Sequence, residues 1–281
     1  MPADAARKCL SCTTVLVALL AATFSALAQN QQDRRWCDGE DNPALAQRIE
    51  ACSAVIRAAR DKGEKAAEPL IYRGLAYRLN GDFEHAIQDY SHAIKLDGKL
   101  AIAFNNRAIA YDLKGEYDRA LQDYEQAIKL KPSAQTYFNR GNVYLAKGQF
   151  DHAIDDFNQA IRLAPKFASA FDNRCWARAV VGILKQALAD CNEALRLKSK
   201  KPATLNSRAF VFLKMTQFDA AVSDYDAALA LEPNQAFALY GRGLARLKNE
   251  DPVGETDIAA AKAMQPDIGQ EYSRYGIQGP H

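Results

Sequence analysis

The chain has 281 residues, with 36 Lys and Arg against 34 Asp and Glu, a formal charge of +2, and 48% of its residues in the hydrophobic set. That balance excludes a nucleic-acid binder working through bulk positive charge, and the apolar content excludes a disordered acidic or basic tail. Abundant alanine with only 15 Gly and 10 Pro predicts a mostly helical chain.

Residues 1–28 have the three-part layout of a secretory signal. Arg7 and Lys8 precede an apolar run through Val15, Leu16, Val17, Ala18, Leu19 and Leu20, and Ala26-Leu27-Ala28 supplies a small-x-small cleavage site before Gln29. The run is shorter than the roughly 20 residues that span a bilayer, so an uncleaved anchor is the weaker alternative. Cys9 and Cys12 stand at its start, where a lipoprotein would carry its Cys after it. The expected location is therefore periplasmic or secreted, with no membrane insertion once the signal is removed.

Residues 29–66 form the expected N-terminal linker and capping helix. Asp41-Asn42-Pro43 reads as a helix start, and Leu45, Ile49, Cys52, Ala54, Val55 and Ile56 give an apolar face up to about Arg60. Of six cysteines, four follow the signal: Cys37 and Cys52, then Cys175 and Cys191. An even number in two close pairs, in an oxidising compartment, points to two local disulfides, with Cys37 tying a leading strand to Cys52. The alternative is four buried free thiols. Neither pair has C-x-x-C spacing, so the role is structural rather than redox or metal-binding.

From residue 67 one unit is written six times, over 67–100, 101–133, 134–167, 168–201, 202–235 and 236–267. The eighth positions are Gly74, Ala108, Gly141, Cys175, Ala209 and Gly243, all small; the eleventh are Tyr77, Tyr111, Tyr144, Arg178, Phe212 and Arg246. The twentieth hold Ala86, Ala120, Ala153, Ala187 and Ala221, followed four residues on by Tyr90, Tyr124, Phe157, Cys191 and Tyr225. Pro132, Pro165 and Pro233 close units two, three and five. Apolar residues recur at helical spacing, and Asn80-Gly81, Lys114-Gly115 and Lys147-Gly148 break that period midway, so each unit predicts a helical hairpin. A hairpin of that size cannot stand alone, and stacking follows. The pattern resembles the tetratricopeptide repeat over about three quarters of the chain, which implies an all-α fold: a right-handed α-solenoid of stacked antiparallel helix pairs. Trp36-Cys37 and Ile49-Glu50-Ala51-Cys52 ahead of the repeats look like secreted bacterial members of that family.

Two charged positions recur in every unit. Arg73, Arg107, Arg140, Arg174, Arg208 and Arg242 precede the small residue, and Asp89, Asp123, Asp156, Asp190, Asp224 and Asp257 lie on each second helix. A structural ladder of Arg to Asp pairs is expected, against the alternative of independently solvated charges. Cys175 takes a small slot and Cys191 an aromatic slot, two positions that face each other across a hairpin. Residues 268–281 are expected to give a short capping helix, with Ile268 to Tyr275 back in first-helix register, and a frayed tail.

No catalytic, metal or cofactor site is expected, and the chain does not read as an enzyme. His85, His92 and His152 fall on exposed positions of second helices, and no phosphate-binding or nucleophile motif occurs. The resemblance implies that first helices line a concave groove, into which Asn105, Asn106, Phe138, Asn139, Asn142, Asp172, Asn173, Trp176, Asn206, Phe210 and Tyr240 would point. Asn106, Asn139 and Asn173 share the sixth position and resemble the asparagine ladder with which some such arrays hold a peptide backbone; the alternative is a solvated polar row. Trp176 and Phe210 are the expected aromatic anchor, and the lysine clamp of chaperone-binding members is not matched. The function this implies is a protein- or peptide-binding scaffold without nucleic-acid partners. The other readings are an accessory subunit in envelope polysaccharide or peptidoglycan assembly, and self-association through Tyr272 to Ile277.

Overall fold

Helices follow the apolar period of the repeat wherever it runs. The computed structural model describes residues 28–198 and 201–279, and no strand occurs among the described residues. Apart from Ala28, the expected signal sequence lies outside the described residues. The helices are α1 (residues 28–38), α2 (Leu45–Asp61), and then six hairpins. These are α3 (Ala67–Leu79) with α4 (Phe83–Leu96), α5 (Ala101–Leu113) with α6 (Tyr117–Leu130), and α7 (Ala134–Ala146) with α8 (Phe150–Leu163). They continue as α9 (Ala168–Val180) with α10 (Leu184–Leu197), α11 (Pro202–Lys214) with α12 (Phe218–Leu231), and α13 (Ala236–Lys248) with α14 (Gly254–Met264). Helix α15 (Ile268–Arg274) follows.

The segment that carries Cys37 is a helix and not the expected strand. Gln29 to Arg35 contain neither Gly nor Pro, and the Gln29 amide donates to Asp33 Oδ1 at 2.9 Å, one helical turn on. The next helix starts at Leu45 rather than at Asp41, because Asp41 and Asn42 adopt left-handed φ values of 61° and 48° and break the chain direction. Gln47 then caps it by accepting from the Ala44 N–H at 3.1 Å.

Two compact units divide the chain, Met1–Lys131 and Pro132–His281. In the first, α2 packs on α3, α3 on α4, α4 on α5 and α5 on α6. In the second, each helix from α7 to α14 packs on the next, successive first helices also touch, and α15 closes on α13 and α14. Each unit is thus a stack of helix pairs of the α-solenoid class.

Small residues let the helices of a pair approach, and a ring from the second helix fills the gap. A Cβ at Gly74 would stand 2.7 Å from Tyr90 Cε1, and one at Gly141 2.7 Å from Phe157 Cε1. Tyr90, Tyr124, Phe157 and Tyr225 are all fully buried, the dense interlock expected of a protein interior. Glycines in the left-handed region end the first helices of the first four hairpins, at Gly81, Gly115, Gly148 and Gly182, whereas Thr216 and Glu250 take that role in the last two with φ of 58° and 61°.

Candidate functional site

The recurring arginines and aspartates meet inside each hairpin. Arg73 Nε and Nη2 donate to the two carboxylate oxygens of Asp89 at 2.8 and 2.7 Å. The same two-pronged contact joins Arg107 to Asp123, Arg140 to Asp156, Arg174 to Asp190, Arg208 to Asp224 and Arg242 to Asp257. All six carboxylates are buried. The bond to Asp89 raises the Arg73 pKa against the opposing effect of burial. Burial pushes the Asp156 carboxyl above its ordinary value in spite of the Arg140 contact.

Sequence reasoning missed what the third guanidinium nitrogen does. Nη1 of Arg107 donates to Ser91 Oγ at 2.9 Å, that of Arg174 to Asn158 Oδ1 at 2.7 Å, that of Arg208 to Asn192 Oδ1 at 2.9 Å, and that of Arg242 to Asp226 Oδ1 at 2.7 Å. Each acceptor is the residue after the ring-bearing position of the preceding hairpin, so one arginine grips its own pair and the one before it. The available signal was an oxygen-bearing side chain recurring at that twenty-fifth position. Arg178 and Arg246, where other units have a ring, add further bonds to Asp190 and Asp257 at 2.6 and 2.8 Å.

The cysteines lie at bonding distance, 2.09 Å for Cys37–Cys52 and 1.99 Å for Cys175–Cys191. The second bridge occupies the space that the ring fills in other hairpins, and both of its cysteines are fully buried.

The residues expected to line a groove divide by environment. In the first unit Asn105 and Asn106 are half-buried neighbours on α5; Asn105 Nδ2 approaches Asn106 Oδ1 at 3.4 Å, and its own Oδ1 is buried without a partner. In the second unit Phe138, Asn139, Asn142 and Asn173 are half-buried. Asn173 Nδ2 donates to Asn142 Oδ1 at 2.7 Å, which sets amides of α7 and α9 side by side, and Gln135 donates to Asn139 Oδ1 at 2.8 Å. Phe138 packs at 4.8 Å, centroid to centroid, on Phe167.

Five of the expected groove residues are otherwise engaged. Phe210 is fully buried and Tyr240 nearly so, both inside the aromatic core of α11, α13 and α15. Asp172 is buried and paired with Lys201 at 2.5 Å. Trp176 is half-buried, with Phe210, Phe237 and Tyr275 at 5.0, 5.5 and 5.1 Å between centroids. The anchor expected from Trp176 and Phe210 is therefore covered by the chain's own C-terminal segment, because rings at the inner face attract the rings of that segment. Asn206 Nδ2 likewise donates to Gln235 Oε1, while its Oδ1 is buried without a partner. Of the edge expected at Tyr272 to Ile277 for self-association, Tyr272 is fully buried, with its hydroxyl donating to Phe237 O at 2.8 Å, Tyr275 and Ile277 are half-buried, and Ser273, Arg274 and Gly276 are exposed.

His85 is exposed, stacks on Tyr77 at 5.1 Å and bonds Asp82 at 2.7 Å through Nδ1; His152 stacks on Tyr144 in the same way. Among the described residues no group of three His, Cys, Asp or Glu side chains could hold a metal ion, and no helix is long and apolar enough to cross a membrane.

Comparison with known proteins agrees with this architecture. Solved structures share it at low identity. YrrB, described as a TPR protein with an unusual peptide-binding site, aligns with a TM-score of 0.61 at 20% identity over 69% of this chain and 100% of its own. PilF of Pseudomonas aeruginosa gives 0.61 at 21% over 74% and 96%, and a tetratricopeptide repeat protein from Parabacteroides merdae gives 0.63 at 19% over 88% and 99%. At such identities the likeness is one of fold. No curated protein matches the sequence. Family models described as tetratricopeptide repeat match residues 101–133, 134–167 and 208–267, and one described as TPR repeat matches residues 74–115. Together these matches span more than half of the chain, which belongs to the tetratricopeptide repeat family.

Proposed function

We propose that the protein is a non-enzymatic scaffold of the periplasm or secreted space that holds an extended segment of a protein partner on the amide-bearing first-helix face of its second unit. The observation that carries this reading is the contact between Asn142 and Asn173. Two successive first helices bring their amides within hydrogen-bond distance, and the pair leaves the Asn142 NH2 and the Asn173 Oδ1 without a partner among the described residues. Asn139, one turn before Asn142, keeps its NH2 in the same condition because only its oxygen is engaged, by Gln135. A row offering both donors and acceptors matches an extended backbone, which alternates N–H and C=O, and makes few demands on side chains.

The class of partner is supported by the family, whose fold serves protein interaction, and by YrrB, a relative in fold with a peptide-binding site. The location is supported by the signal-like start of the sequence and by two cysteine pairs at bonding distance, an arrangement at home in oxidising compartments. PilW, described as a widely conserved type IV pilus biogenesis factor, shares the fold with a TM-score of 0.62.

The test is pulldown with the double variant Asn139→Ala/Asn173→Ala. Loss of the captured partner with unchanged helical circular dichroism is expected. Capture equal to that of the parent chain would remove the amide row as the site.

A further inference from the structure

The C-terminal segment falls into two parts that are held very differently. Its base is locked. Ile268 and Tyr272 are fully buried, the Tyr272 ring stacks on Phe237 at 4.5 Å, and its hydroxyl meets Phe237 O and Tyr225 OH at 2.8 and 3.2 Å. Beyond it the chain turns at Gly276, with φ of 82°, and Tyr275 and Ile277 lie half-buried against the cluster that contains Trp176 and Phe210. Past the Ile277 N–H, which donates to Tyr272 O at 3.0 Å, Gln278 and Gly279 make no hydrogen bond among the described residues.

One cation ties this outer part down. Lys214 Nζ donates to Ala179 O and Val180 O at 2.9 and 3.1 Å, the last carbonyls of α9, and to Tyr275 O at 2.9 Å, just past the end of α15. It has no carboxylate partner among the described residues, and it stands 5.6 Å from the Phe210 ring centroid. An ammonium that spends all three protons on carbonyls reads the negative end of a helix. Two of those carbonyls belong to the scaffold; the third comes from whatever lies on the face.

We propose that Tyr275 to Gly279 is a displaceable internal occupant of a recognition site made by Trp176, Phe210, Phe237 and Lys214. The external ligand of that site is a protein segment of the same chemistry: an aromatic residue at the end of a short helix, a glycine turn, and an aliphatic residue two positions after the ring. The outer part can leave without unpacking Tyr272, since local opening follows the parts with fewest buried contacts. This deepens the scaffold reading, but it uses a different surface from the asparagine row.

The experiment uses a fluorescent synthetic peptide with the sequence of residues 266–281 as probe, on the full chain. The variant Tyr275→Ala/Ile277→Ala is expected to bind the probe at least tenfold more tightly than the parent chain, and adding Lys214→Met is expected to reverse that gain. A correctly helical double variant that binds no better than the parent overturns the proposal. Should the variant not fold, amide exchange on the parent chain decides: the Ile277 N–H is expected to exchange at least a hundredfold faster than the amides of α13, and equal rates overturn it. A parent chain that sediments as a dimer, and as a monomer once Tyr275 and Ile277 are replaced, would assign the segment to a second copy and overturn the internal assignment. Asn139→Ala is expected to leave probe binding intact, so failure of the asparagine row does not obscure this result.

Discussion

The ring of Tyr275 stands edge-on to the indole of Trp176, with centroids 5.1 Å apart and planes at 85°. Edge-to-face pairs of this kind are favoured by the ring quadrupoles and help to exclude water from the indole. In a Trp36→Phe background, where Trp176 is the single tryptophan, emission is expected to be blue-shifted and shielded from acrylamide. Tyr275→Ala is expected to move the emission to the red and at least double the quenching constant. Unchanged quenching would show that the ring does not cover Trp176 in solution.

That contact marks where sequence reading stops. The hairpins are legible because each is specified locally: Ala86, Tyr90 and Ala93 recur at helical spacing within one helix, and Gly81 ends the helix before it. Repetition makes the signal stronger, since Gly74 and Gly141 require the same close approach to a ring in two separate hairpins. The resemblance implies that Trp176 and Phe210 face a groove, but nothing local says what covers them, because their neighbours Tyr272 and Tyr275 come from a segment far along the chain and outside the repeat. Helix α1 was missed for the opposite reason. Its polar run has no apolar period to announce it, and a single cysteine near its end holds it to α2.

The bridge in the fourth repeat does the work of a missing ring. Replacing Cys175 and Cys191 by Ala is expected to cost about 3 kcal/mol in urea denaturation, the chain-entropy value for a loop of this size, across a sequence separation of 16. The pair Cys175→Gly/Cys191→Tyr restores the arrangement of Gly74 and Tyr90. It is expected to recover most of that loss and to make the midpoint insensitive to reductant. Equal stability of the Ala variant and the oxidised parent would mean that the bridge contributes nothing.

Arg140 and Asp156 test whether the ladder adds stability or only fixes register. The Arg140 and Asp156 side chains keep 18% and 5% of their surface exposed. Asp156→Ala leaves a half-buried guanidinium without its carboxylate and is expected to cost about 3 kcal/mol, whereas Arg140→Met/Asp156→Leu is expected to cost much less. Denaturation midpoints of the two variants give the comparison, and equal losses would contradict it. Because burial holds the Asp156 pKa above its unfolded value, its contribution is present in acid and declines as pH rises through the folded value. Mild acid is therefore not expected to loosen this hairpin by titrating Asp156.

Asp82 behaves in the opposite sense. Slight burial pushes its pKa up, but bonds from the His85 backbone and ring prevail and hold it below the ordinary value. Its cap of α4, through His85 N at 3.2 Å, is present above the unfolded pKa and is lost as pH falls through the folded one, below about pH 4. Asp82→Ala is expected to show a smaller drop in thermal midpoint between neutral pH and pH 3 than the parent. An identical drop would remove Asp82 from the acid response.

The most direct measurement of the central claim is crosslinking in the living cell from a photoreactive residue at position 139 on α7, compared with the same residue at exposed position 155 on α8. The scaffold reading predicts a discrete protein adduct from 139 that is absent from 155 and that disappears when Asn173→Ala is added. Identical adducts from both positions, or none from 139 in cells where 155 reacts, would contradict it.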